Sequence, residues 1–159
     1  MALLHVHAGS LQDGRQSPAA FEICRGVARL LSTHAMAIVS EVTLANGRRA
    51  DVAAIGANGE IWIVEIKSSL VDFQTDQKWP EYRDFCDRFF FAVGPQFPQQ
   101  VLPAQAGLII ADRYGGDIAR AAPEHKLVGA RRKAVTLTLL RTAANRLQGV
   151  LDPDFGFEA

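Results

Sequence analysis

The chain has 159 residues, 48% of them hydrophobic and 21% charged, with 17 basic and 17 acidic side chains giving no net charge. Those values describe one globular domain with a substantial core, and they exclude a disordered chain and a surface that grips polyanions everywhere. No apolar run approaches the roughly 20 residues that span a bilayer, and the N-terminus lacks a basic leader with an apolar h-region. The two cysteines, Cys24 and Cys86, form neither a disulfide framework nor a zinc cluster. A reduced, cytoplasmic setting without membrane contact is expected.

Residues 1–16 read as a loose arm, followed by a single domain over residues 17–159. Ser17-Pro18 supplies an N-cap and a first helical position. From there to about His34, Ile23, Val27, Leu30 and Leu31 share an apolar face, with Glu22, Arg25 and Arg29 opposite. Glu22 is therefore read as solvated rather than catalytic. "AIVSEVTL" is a first strand ended by Asn46-Gly47; "RADVAAI" is a second, "GANG" a turn and "EIWIVEIK" a third. The third strand is apolar on both faces at its centre and is predicted to be interior. Residues 70–88 are helical or broken-helical around Pro80. "FFFAV" is a buried fourth strand, and "GLIIADR" and "DIARAA" form a hairpin through Tyr-Gly-Gly. Residues 131–151 close the chain as a helix with Leu137, Leu140, Ala144 and Leu147 as its inner stripe, although "AVTLT" alternates like a strand. The order describes an α/β fold with a central mixed sheet.

The third strand ends in "VEIKSS", residues 64–69. Residues two apart in a strand share a face, so Glu65 and Lys67 project together. A three-residue loop with Gly59 in the left-handed region pairs Gly56 with Glu60 and sets Asp51 opposite Glu65; a two-residue turn would pair Asp51 with Ile66. The first register also matches Ala53 with Ile63 and Val52 with Val64, keeping both faces coherent. Two carboxylates, with the Ile66 carbonyl and water, can hold Mg²⁺ or Mn²⁺, hard cations that prefer oxygen. A lysine beside them can orient water and stabilise developing negative charge. The alternative reading is a structural ion pair at a strand end.

"RRADVAAIGANGEIWIVEIKSS" resembles the signature of the PD-(D/E)XK nuclease superfamily, with Asp51 as the motif aspartate and Glu65-Ile66-Lys67 as E-x-K. Ala50 stands where the strict motif has proline. "GRRADV", "VEIKSS", "DFQTDQKWPEY" and "CDRFFFAV" together resemble the MmcB-type DNA repair proteins. The resemblance implies a restriction endonuclease-like fold, a central mixed sheet flanked by helices with a C-terminal hairpin and helix. It also implies a DNA repair role, with Mg²⁺- or Mn²⁺-dependent cleavage as the leading activity and a non-cleaving DNA-binding or scaffold module as the alternative.

Supporting residues keep two readings each. Glu41, placed by strand alternation on one face with Val39 and Thr43, either completes the metal shell or sits at a sheet edge. Arg48 and Arg49 clamp phosphates or neutralise local acids. Lys78 and Tyr82 fall one helical turn apart if Pro80 permits, similar to the Gln-and-Tyr helix motif of RecB-type nucleases with lysine in place of glutamine. Trp79 is a core anchor or a stacking platform. Ser68 and Ser69 cap the next helix or bond a phosphate. Arg131, Arg132 and Lys133 fit poorly at a helix start, so a nearby anion such as a DNA phosphate would account for them. The expected partners are DNA, in a damaged or branched form, and a further repair protein; a homodimer is compatible with the sequence.

Overall fold

The computed structural model describes residues 16–154. The expected arm lies outside these apart from Gln16. Helix α1 (Pro18–Thr33) opens as expected, the Ser17 hydroxyl accepting from the Ala20 amide at 3.1 Å. It is followed by β1 (Met36–Thr43), β2 (Arg49–Gly56), β3 (Ile61–Lys67) and a short α2 (Leu70–Thr75). A 3₁₀ helix, Trp79–Phe85, leads into β4 (Arg88–Val93), then β5 (Gly107–Asp112), β6 (Gly115–Arg120) and the long α3 (Gly129–Leu151). Six strands form one sheet in the order β1-β2-β3-β4-β5-β6, with β3, β4 and β5 parallel and the other pairs antiparallel. This is an α/β fold with an open mixed sheet flanked by helices, consistent with the restriction endonuclease-like class.

The sheet is covered on both faces, which is why its central strands are apolar throughout. Helix α1 lays Ile23, Val27, Leu30 and Leu31 on Val52, Val64, Phe90 and Ile109. On the other face Phe73, Tyr82, Phe85, Val135 and Leu139 pack on Ala53, Ile63, Phe89 and Phe91. Trp79 is a core anchor, stacked on Phe89 at 5.6 Å with the Arg83 guanidinium over its ring. Gly26 lets α1 press on the β5–β6 hairpin. A Cβ there would lie 2.0 Å from the Asp112 carbonyl oxygen and 2.5 Å from that of Gly115.

The helix expected over residues 131–151 is present, residues 134–138 included, and starts at Gly129. Two expectations are corrected. The hairpin turn is shorter than Tyr-Gly-Gly, because Gly115 and Gly116 already pair with Asp112 and Ala111. The stripe Leu137, Leu140, Ala144 and Leu147 does not face the core: Val135 and Leu139 are the buried residues of α3, and Leu137, Leu140 and Leu147 are 47%, 62% and 58% exposed. Periodicity identifies an apolar stripe but cannot say which body covers it.

Candidate active site

The β2–β3 register is the one the three-residue loop requires. Val52 pairs with Val64 and Ala53 with Ile63. The Gly56 amide donates to the Glu60 carbonyl at 2.9 Å, and Gly59 takes φ +84°. The backbone ladder stops at Val52–Val64, and side chains continue it. The Asp51 amide donates to Glu65 Oε1 at 3.1 Å, and the Ile66 amide donates to Asp51 Oδ2 at 2.8 Å. The two carboxylates are thereby wedged between the strand ends, each anchored to its neighbour's backbone through one oxygen.

Lys67 is buried beside them and donates to Asp76 Oδ2 at 3.4 Å. Asp76 is the C-cap of α2 and was not among the expected site residues. Its neighbour in role, Asp72, accepts from the Ser68 amide at 3.1 Å. No spacing rule reveals these two, because their approach depends on where α2 breaks. Together with Arg48, Arg49, Ser68 and Tyr82, these residues line an open cleft of about 490 Å³ that is predominantly polar.

The electrostatics of the cleft are those of crowded buried acids. Burial pushes the Asp51 carboxyl up to about 6, reinforced by the charges of Asp72 and Glu41, against the pull of the Ile66 amide and Lys67. Burial, then the Asp51 charge, holds Glu65 well above the ordinary carboxylate range. Burial raises the Tyr82 phenol, with Glu65 and Asp51 adding to it. Asp76 differs: although burial would raise it, the Lys78 amide and Lys67 hold it below its usual value.

Other expected site residues divide. Arg48 reaches the cleft but is paired with Glu81 at 2.6 Å. Arg49 lines the cleft, with Glu41 3.9 Å away. Tyr82 lines it too, its hydroxyl donating to the Arg49 carbonyl at 3.0 Å. Ser69, not Ser68, caps α2 by accepting from the Asp72 amide, which leaves Ser68 at the cleft wall. Lys78 is exposed and does not align with Tyr82, since the intervening turn is 3₁₀ and eclipses residues three apart, not four.

Glu41 does not share the face of Val39 and Thr43. It takes φ +50°, and this left-handed residue shifts the strand's alternation, so that Val39 and Val42 both pack in the α3-side core. The Arg146 guanidinium from α3 donates to the Ser40 and Glu41 carbonyls, the latter at 2.7 Å. The basic cluster at the start of α3 lies at the other end of β3. There Arg132 donates to the Gly59 carbonyl at 2.7 Å and to both Asp87 oxygens at 2.7 Å. The anion beside Arg132 is thus Asp87, a buried internal carboxylate that also accepts from the Ile61 and Leu127 amides. Arg131 lies over the Phe85 ring, and Lys133 is exposed.

An open mixed sheet flanked by helices, with two acids and a lysine gathered at the end of an interior strand, makes this an α/β protein consistent with the restriction endonuclease-like class. A family model for MmcB-like DNA repair proteins matches residues 7–154, and the chain belongs to that family. A solved structure of a protein of unknown function from Silicibacter pomeroyi is similar, with 46% identity and a TM-score of 0.86, over 91% of this chain and 99% of that one. None of the curated proteins compared matches. Family membership supports a role in DNA repair. Among the described residues no helix is long and apolar enough to cross a membrane.

Proposed function

We propose that the protein is a Mg²⁺- or Mn²⁺-dependent DNA endonuclease acting in repair. The observation that carries this reading is the pair Asp51 and Glu65. Both carboxyls are pushed up by burial, and among the described residues the one buried cation beside them is Lys67, itself shared with Asp76. Such a cluster carries more negative charge than its cations offset, which a divalent ion would relieve.

The donor set fits a hard cation, being carboxylate oxygens with no thiolate or imidazole among the described residues that line the cleft. Among the described residues, no three His, Cys, Asp or Glu side chains are gathered as a metal-holding group. Asp51 and Glu65 would therefore hold the ion with the Ile66 carbonyl and water. Once bound, the ion would supply Lewis-acid polarisation of a phosphodiester and a lowered water pKa. Lys67 brings an ammonium group to the same end of β3, where it orients attacking water and counters charge growing on the scissile phosphate. Asp76 restrains that ammonium. Arg49 and Ser68, on the cleft wall, bind flanking phosphates, and Lys78, Arg131 and Lys133 offer further backbone contacts.

The test is incubation of the purified protein with branched, gapped, flap and duplex DNA in Mg²⁺ or Mn²⁺. Cleavage that disappears in Lys67→Ala and Asp51→Asn is the expected result. The second reading is a DNA-binding or scaffold module that keeps the fold with little or no cleavage. The pairing of Arg48 with Glu81 and of Arg132 with Asp87 favours its scaffold form, held at DNA with the help of a protein partner, because both draw cations away from phosphates. No cleavage of any substrate, with DNA still bound, would select that reading.

A further inference from the structure

Helix α3 carries two stripes on opposite sides. Arg132, Val135, Leu139 and Arg146 face the body of the protein: the two apolar residues are buried, and the two arginines bond Asp87 and the β1 carbonyls. The other stripe is Leu137, Leu140, Ala144, Leu147 and Leu151. Its leucines are 47%, 62%, 58% and 55% exposed. Its spacing of 3, 4, 3 and 4 residues is the a/d pattern of a helix-pairing seam, sustained over two heptads. Arg132, Arg146 and the packed residues between them hold the helix rigidly, so the seam is presented ready-made to solvent.

We infer that this seam pairs with the same seam of a second copy, antiparallel, in a two-fold symmetric dimer. Three features of the helix select that occupant. First, the seam is self-complementary: an axis between Asn145 and Arg146 sets Leu140 against Leu151 of the second copy and Ala144 against its Leu147. Second, alanines stand at the crossing, Ala143 and Ala144, and allow close approach. Third, the charges match only in this direction. Residues 129–151 contain five basic side chains and no acid, whereas Asp152 and Asp154 follow directly. Antiparallel pairing brings Asp152 and Asp154 of one copy alongside the stretch from Lys133 to Arg141 of the other. Parallel pairing would instead stack Arg141 on Arg141 and acid on acid. Four leucines are only part of the roughly 800 Å² per partner of a standard interface. The dimer is therefore expected to be weak and concentration-dependent.

Sedimentation velocity of the full chain across a hundredfold concentration range tests this, with Leu140→Glu and Leu147→Glu as variants. These positions are exposed, so circular dichroism of the variants should match wild type. The expected result is wild-type mass rising toward two chains, with each variant remaining at one. Direction is read by cross-linking in a Cys24→Ser background: a mixture of Leu140→Cys and Leu151→Cys chains should cross-link, and Leu151→Cys alone should not. A wild-type monomer at every concentration overturns the inference, as does a dimer that survives both glutamates or a cross-link from Leu151→Cys alone. A monomer that instead binds anionic vesicles, or an acidic leucine-seam peptide, through these leucines overturns it in favour of another occupant.

Discussion

Asp51 and Glu65 hold each other's strands together. Ile66 N–H donates to Asp51 Oδ2 at 2.8 Å, Asp51 N–H donates to Glu65 Oε1 at 3.1 Å, and neither residue needs the ordinary strand ladder. One oxygen of each carboxylate accepts from the opposite strand's backbone, while the charge of the pair is what the proposed metal chemistry uses. A substitution that keeps shape but removes charge should therefore separate the two roles.

Glu65→Gln should keep the Asp51 contact and the fold while weakening Mn²⁺ binding by about 100-fold, since losing even a ligand's hydrogen-bonding support costs roughly 10- to 100-fold in metal affinity. Titration calorimetry reads this directly. An unchanged binding isotherm would remove the carboxylate pair from any metal role.

The pH dependence of stability without metal follows from Asp51. Its carboxyl is raised from 3.8 to about 6 in the folded chain, so the folded state binds protons more tightly than the unfolded one. Stability contributed by this group is therefore full below about pH 4 and falls as pH rises to about 6, by on the order of 2 to 3 kcal/mol. Glu65, also raised, extends the fall upward. Urea denaturation in chelator at a series of pH values should show this slope. Asp51→Asn should flatten it, and a divalent ion should restore stability most at high pH.

Lys67 offsets those acids, so Lys67→Met should destabilise the protein by about 3 kcal/mol at pH 8, where it leaves buried carboxylates unpaired. At pH 5 the loss should be much smaller, because the carboxyls take up protons instead. Equal losses at both pH values would mean that the lysine matters through its packing alone.

Asp87 and Arg132 provide a contrasting control. Although burial opposes it, the bonds from Arg132 and from the Ile61 and Leu127 amides hold Asp87 below its usual range. Its stabilisation is present above about pH 4 and is lost as pH falls further. Asp87→Ala should cost about 3 to 5 kcal/mol by stranding the arginine and two amides. Cleavage and Mn²⁺ affinity measured on the remaining folded protein should be unchanged.

Gly26→Ala should cost about 3 kcal/mol or displace the β5–β6 hairpin, since its Cβ would meet two backbone carbonyls rather than a yielding side chain. Thermal melts of the variant measure the loss.

Where the sequence was informative, the signal was local. Alternation and turn chemistry around Asn58-Gly59 determine one register, and that register alone brings Asp51 to Glu65. The six strands and α1 are legible for the same reason. Glu41 was misplaced because alternation assumes an unbroken strand, and nothing in "VSEVT" announces a left-handed residue that an arginine 105 positions away helps to hold. Asp72 and Asp76 were missed because their distance from Lys67 depends on where α2 stops. The α3 leucines were assigned inward since a stripe has the same period whether its partner is the chain's own core or another molecule. Arg132 was assigned to an external anion because the internal one, Asp87, is 45 residues distant in sequence.

The Gly59 turn and the carboxylates occupy opposite ends of β3, roughly 20 Å apart at about 3.3 Å per residue. Arg132 grips the turn's carbonyl and Asp87 beneath it, so the hairpin is indexed at its remote tip and its setting is read at the cleft. Insertion or deletion of a single residue between Ala57 and Gly59 would turn Glu65 and Lys67 toward α1 while leaving every side chain of the cleft chemically intact. The loop is a gauge block for a tool mounted at the far end of the bench.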